Sequence, residues 1–177
     1  MINRLYLAIL LITSLGLTSC DTKNKGGKSK SLNQEQVTEL MLKANKMAIE
    51  VENKQIDKLI DSSGWNMLET PTGLRYEIIE KGNGVKAVDG KTVQLEYETQ
   101  LMNGEIIYTS DRSGLKEFRI GSGGVESGLE EGILLLRSGD KARFIIPSYL
   151  AHGLSGDQDR IPPKATLIYT VKLISLK

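Results

Sequence analysis

Side chains suited to covalent or metal chemistry are scarce in this sequence of 177 residues: there is one histidine, His152, and one cysteine, Cys20. A structural or catalytic zinc site needs three or four such ligands, so no metal site is expected. No intramolecular disulfide can form either. The glycine-rich stretch GSGGVESG, residues 121–128, precedes a helical pattern. A dinucleotide fingerprint would need glycine where Glu126 stands, and no Lys-Ser or Lys-Thr pair follows as a phosphate loop requires. The stretch reads instead as a tight approach to a helix N-terminus, which brings backbone N–H groups to a cleft. The remaining candidate is His152 itself, inside PSYLAHGLSGDQDRIPPKATL, residues 147–167. This long polar connection lies between the apolar runs FIIP and TLIYTVKLISL. Long irregular connections are uncommon in compact domains and often act as lids or binding loops. Taken alone, the segment reads better as a surface loop with a proline stop.

The elements that would position such a loop are legible from periodicity. Residues 93–101, VQLEYETQL, place Val93, Leu95, Tyr97 and Leu101 on one face and Gln94, Glu96, Glu98 and Gln100 on the other, the pattern of a half-buried antiparallel strand. Asn103-Gly104 then signals a hairpin, because both residues can take positive φ. EIIYT returns, KEFRI is a further short strand, and LRYEII alternates near residue 74. Ser127 and Glu130 have the spacing of a capping box that opens a short helix, LEEGILLLR. Gly139-Asp140 turns the chain into KARFIIP. The sum is an α+β arrangement: five or six antiparallel strands with one short helix to cover their apolar face.

Ahead of this lies a different pattern. Asn33 and Gln36 form a second capping box, and Val37, Leu40, Met41, Ala44, Met47, Ala48 and Val51 recur along one helical face. Ile56, Leu59 and Ile60 continue it after a slip near Asn53. The helix should extend over residues 33–62, end at SSGW, and be docked by Trp65 with Met67. Its Met-containing stripe has two outlets, the domain that follows or a second copy of the chain. Residues 21–31, DTKNKGGKSKS, lack large apolar side chains and should form a flexible tether.

Residues 1–19 have the pattern of an export signal. Arg4 is followed by the apolar run LYLAILLITSLGL, shorter than the ~20 residues a membrane-spanning helix needs. The run ends in LTSC and resembles a bacterial lipoprotein signal, which implies lipidation of Cys20 and a membrane-anchored protein of the cell envelope, facing the periplasm. A single acyl chain anchors marginally, and the multiply acylated cysteine of lipoproteins would satisfy the need for more than one. A formal net charge of +1 offers no electrostatic footprint for nucleic acid.

Three segments in order carry a family resemblance: YETQLMNGEIIY, VESGLEEGILLLRSGDKARFIIP and AHGLSGDQDRIPPKATLIYTVKL. Residues 73–177 resemble the FKBP-type peptidyl-prolyl isomerases, with one residue fewer between Ser110 and Phe118. The helix and the GW…T-x-TGLRYEII entry look similar to lipidated FKBP-like proteins associated with gliding motility in Bacteroidetes-type bacteria. The resemblance implies that residues 150–161 form a flap over a shallow apolar cleft that takes a proline ring, with Pro162-Pro163 pinning its base. It implies pocket walls at Tyr97, Ile107, Val125, Leu129, Ile161 and Tyr169. Glu126 takes the position whose backbone N–H receives a substrate carbonyl, and His152 the flap position that donates a hydroxyl. The family's buried aspartate is replaced by Tyr108, which Asp111 could approach. Phe is common in the family at the position of Ile107, Trp at that of Leu129 and Phe at that of Tyr169.

No cofactor is needed for such chemistry. Rotation about an X-Pro bond must lose amide resonance, and the site has only to prefer the twisted amide over both planar forms. Proline-containing polypeptides are the implied partners. Three roles follow: a lipid-anchored isomerase assisting the folding of exported proteins, a proline-binding chaperone or machinery component with little turnover, or a structural protein that assembles through residues 33–61.

Overall fold

The computed structural model describes residues 33–177. The expected signal (residues 1–19), the lipidation site Cys20 and the tether (residues 20–32) lie outside the described residues. Residues 41–177 form one compact unit, and the first turns of the N-terminal helix belong to the unit before it.

That helix, α1, runs Gln34–Ser63. Its start is the reciprocal cap read from the sequence: the Asn33 N–H donates to Gln36 Oε1 at 3.1 Å, and the Gln36 N–H donates to Asn33 Oδ1 at 2.8 Å. Gly64, at φ +65°, ends it. The apolar stripe divides in two. Met41, Met47 and Val51 are 62%, 57% and 55% exposed, and full burial along α1 is reached only at Ile56. Ile56 packs with Ile145 and Ile168, joined by Leu59, Ile60, Trp65 and Met67. Trp65 and Met67 thus dock the helix as expected, while the more N-terminal part of the stripe stays open. A half-buried contact at Glu52 reinforces the docking. Its Oε1 accepts from the Ser148 N–H and the Thr166 hydroxyl, both at 2.6 Å, and Oε2 accepts from the Ser148 hydroxyl at 2.9 Å.

The sheet is antiparallel and has seven strands in the order β1-β2-β6-β7-β3-β4. Here β1 is Leu68–Glu69, β2 Arg75–Glu80, β3 Thr92–Leu101, β4 Ile106–Thr109, β6 Lys141–Ile146 and β7 Leu167–Leu176. β5, Lys116–Arg119, pairs with the first half of β3, and β4 pairs with its second half. The four residues of α2, Ser110–Ser113, join β4 to β5. The count exceeds the expected five or six because β1 is only two residues long and left no alternating pattern to read. In the β3–β4 hairpin Gly104 alone takes positive φ (+85°), and its N–H donates to the Leu101 carbonyl at 2.9 Å. The turn is therefore a three-residue loop with a glycine bulge, and Asn103 serves by accepting the Glu105 N–H at 3.0 Å.

Alternation along β6 and β7 sends side chains to opposite faces. Ala142, Phe144, Ile146, Leu167, Tyr169, Val171 and Leu173 enter the main core, and Ile145 and Ile168 enter the small cluster under α1. The main core is closed by α3, Ser127–Leu134. The expected capping box does not form there. Glu126 is the N-cap, in an extended conformation (φ −59°, ψ 139°), so the boundary lies one residue early. Ser127 Oγ donates instead to the Leu150 carbonyl at 3.3 Å, and Glu130 Oε1 accepts the Gly123 N–H at 3.2 Å. Close approach of α3 to the sheet depends on glycine. A Cβ at Gly132 would stand 2.8–2.9 Å from ring atoms of Phe144. Alanine gains about 1 kcal/mol in helix propensity, whereas overpacking a core costs roughly 1–3 kcal/mol. Gly132→Ala is expected to lower the urea midpoint, and an unchanged or higher midpoint would show that Phe144 gives way freely.

Candidate active site

The core between α3 and the sheet gathers most of the residues singled out in the sequence. Ile107 on β4, Leu129 on α3, Ile161 at the end of the 147–167 connection and Tyr169 on β7 are all buried in one cluster, with Tyr97, Tyr108 and Val125 packed against it. The Tyr97 and Tyr169 rings lie 6.5 Å apart at 34°. They face each other because β3 and β7 pair antiparallel, with Tyr97 opposite Val171 and Thr99 opposite Tyr169.

Charge enters this apolar setting in a way the sequence did not reveal. The Glu126 side chain, 6% exposed, turns inward. Its Oε1 accepts the Tyr169 hydroxyl at 2.8 Å and lies 2.9 Å from His152 Nε2. Oε2 is buried with no hydrogen-bond partner. Burial, reinforced by the neighbouring Glu126 carboxylate, pushes the Tyr169 phenol well above its ordinary value, so it remains a donor at any physiological pH. His152, the position expected to offer a hydrogen bond to substrate, joins the connection to the N-terminus of α3. Lys116 on β5 stands on the other side, its Nζ 5.1 Å from the Tyr97 ring centroid and 5.8 Å from that of Tyr169. A cavity of about 360 Å³ opens beside Lys116, Gly123, Gly124, Val125, Glu126, Ala151 and His152.

The roof is held down at its far end by a second polar group. The Tyr108 hydroxyl donates to Asp157 Oδ2 at 2.5 Å and to Asp159 Oδ2 at 3.2 Å. Asp157 Oδ1 also accepts the N–H groups of Ile161 (2.8 Å) and Asp159 (3.0 Å). Burial would by itself raise the Asp157 carboxyl, but the hydrogen bonds from Tyr108, Asp159 and Ile161 outweigh it and hold the group below its ordinary range. The same partnership, led by the Asp157 hydrogen bond, pushes the Tyr108 phenol up to about 12. Arg160 donates to the carbonyls of Ile106 and Ile107 and lies over the Tyr108 ring, 5.7 Å from its centroid. Tyr108 therefore points to the flap. Asp111, in α2, is exposed and has no hydrogen bond to Tyr108.

Residues 83–174, more than half of the chain, match the profile of the family described as FKBP-type peptidyl-prolyl cis-trans isomerase. The chain belongs to this family. It is 39% identical over 110 residues to FK506-binding protein 4 of Dictyostelium discoideum, covering 62% of this chain and 30% of that protein. It is 33% identical over 164 residues to the probable FKBP-type isomerase FkpA of Neisseria meningitidis, covering 85% of this chain and 60% of that protein. The chain thus spans less than two thirds of the length of either relative. Among solved structures, FkpA from Escherichia coli superposes with a TM-score of 0.64 at 27% identity, covering 83% of this chain and 74% of that one.

The fold is the α+β arrangement expected from the sequence. Asp157, Arg160 and Lys116 escaped notice in the sequence. An Asp two residues before a further polar residue in a loop is an Asx-turn signal, and D-x-D-R at residues 157–160 could have flagged the flap's internal brace. Nothing local could have flagged Lys116 or the inward turn of Glu126, because both depend on which strand faces α3.

Proposed function

We propose that the chain is a lipid-anchored peptidyl-prolyl cis-trans isomerase that assists the folding of exported polypeptides, with Cys20 as the anchored residue. The protein would act on proline-containing segments at the periplasmic face of the envelope. The observation that carries this reading is the buried set Tyr97, Ile107, Leu129, Ile161 and Tyr169 beneath a braced flap, in a chain of the isomerase family. A proline ring entering the cavity beside Val125 and Ala151, above this buried set, would shed its water. Desolvation disfavours the charge-separated planar amide, and each ~1.4 kcal/mol of preference for the twisted form is worth tenfold in rate. In this reading Val125 and the Glu126 N–H border the substrate backbone, the Tyr169 hydroxyl and His152 fix the Glu126 carboxylate, and Tyr108 acts through the flap it holds.

A second reading is favoured by the charges themselves: Lys116 and Glu126 place polar groups where an apolar wall would serve catalysis best. The same cleft would then grip proline segments with little turnover, as a chaperone or as a component of a gliding or secretion machine like the lipidated proteins it resembles. The open stripe at Met41, Met47 and Val51 supports self-association through residues 33–61 in either case. A protease-free isomerisation assay on X-Pro peptides separates the two readings. Acceleration is the expected result, and binding without acceleration would move the assignment to the chaperone.

A further inference from the structure

The edge of the cavity carries a cation, Lys116. Lys116 Nζ lies over the faces of Tyr97 and Tyr169, and no carboxylate lies within ion-pair distance of it among the described residues. The acidic groups nearby are otherwise occupied. Glu117, next in the chain, is on the opposite face of β5, where its Oε2 accepts from Gln94 at 2.6 Å and pairs with Lys177 at 3.7 Å. Glu126 Oε1 is taken by Tyr169 and His152, and its Oε2 is shut off from solvent. Asp157 and Asp159 accept the Tyr108 hydroxyl. Lys116 is half-buried and also lines the open cavity of about 360 Å³ together with His152 and Gly123. An ammonium ion deprived of part of its water and stacked on aromatic faces still has donors to spare, since the ring quadrupole attracts charge without consuming N–H bonds.

Resting on the proline-segment reading, we propose that Lys116 is a specificity-determining residue that selects proline segments bearing an acidic side chain next to the proline. A proline segment entering the cavity beside Val125, Ala151 and His152 brings its side chains alongside the ammonium. A carboxylate there gains a charge-assisted hydrogen bond inside a partly desolvated cleft, a neutral side chain gains nothing from it, and a Lys or Arg is repelled. The Glu126 carboxylate, which accepts from Tyr169 and lies beside His152, opposes this pull and keeps the preference modest.

The test uses the full protein and two series of short peptides, one with Glu, Leu or Lys just before the proline and one with the same residues just after it. Turnover is measured by cis–trans exchange and affinity by direct titration. For a part-exposed pair, kcat/KM or affinity is expected to favour Glu over Lys by about threefold to tenfold in one of the series, with the preference shrinking in high salt. Lys116→Met should bring the ratio near one, and Lys116→Glu should invert it, whatever the absolute rates become. Turnover or binding with the same ratio in wild type and Lys116→Met overturns the proposal alone and leaves the isomerase reading standing. Binding ordered by charge without turnover supports the proposal and removes the isomerase reading. Neither turnover nor binding in either series overturns both.

Discussion

Replacing Asp157 with alanine is expected to lower kcat/KM for X-Pro isomerisation by roughly ten- to a hundredfold while leaving the sheet intact. The size follows from geometry: a misplacement of about 1 Å at a site that works by positioning can cost about a hundredfold. Asp157 is the point where the flap is tied to itself, through the N–H groups of Asp159 and Ile161, and to β4, through Tyr108. Ile161 also belongs to the buried cluster beneath the flap, so the loss would carry into the proposed cleft. Tyr108→Phe removes only the cross-tie and should have a smaller effect. A double-mutant cycle on flap hydrogen exchange should show the two substitutions coupled by about 1–2 kcal/mol, and independent effects would mean that the hydroxyl contact does not hold the flap. An aspartate at position 108 would face Asp157 and Asp159, so Tyr108→Asp is expected to unlatch the flap, not to supply a missing catalytic group.

The same pair fixes the pH window of the latch. The Asp157 carboxyl is lowered from 3.8 on folding, so its contribution is present above that value and is lost as pH falls through the lower folded value. The Tyr108 phenol is raised from 10.0 to about 12, so its contribution is complete below 10.0 and is lost as pH rises through about 12. Flap protection should accordingly be flat between these limits and fall in acid. Asp157→Asn should flatten the acid limb.

Glu52→Ala is expected to destabilise the protein by about 2–4 kcal/mol. The carboxylate satisfies the Ser148 N–H and the hydroxyls of Ser148 and Thr166, and an unsatisfied buried donor costs about 1–3 kcal/mol. The contact ties α1 to the start of the flap segment, 96 residues away in sequence at Ser148. Trp65 belongs to the cluster that docks α1, so its fluorescence reads the undocking while far-UV dichroism reads the sheet. An early tryptophan transition ahead of a normal sheet transition would show that Glu52 holds only the helix. A single unshifted transition would contradict its role.

Much of this architecture could be read from pattern. The Asn33–Gln36 cap, the β3–β4 hairpin and the strand of Tyr97 and Leu95 follow from local rules, because a cap, a turn or a period of two involves residues a few positions apart. The fate of the α1 stripe could not. Its ten apolar positions look alike in sequence, and only where the helix meets the sheet decides that Ile56 is buried and Met47 is not. The Ser127–Glu130 box failed for a related reason: those side chains had closer partners at Leu150 and Gly123, on segments folded in from elsewhere. The cleft showed the same division. Its apolar walls were named from the resemblance, whereas the Glu126–Tyr169–His152 group and the Tyr108–Asp157 tie each join segments tens of residues apart. Long-range polar contacts leave no periodicity.

Backbone amide shifts of the intact protein, followed while a short X-Pro peptide is added, put the central claim to the most direct test. Progressive changes are expected at Tyr97, Val125, Glu126, His152 and Tyr169, with exchange between the peptide's cis and trans signals quickened at the same time. Changes confined to the groove between Met47, Val51 and Met102, with the residues beneath the flap unmoved, would contradict it.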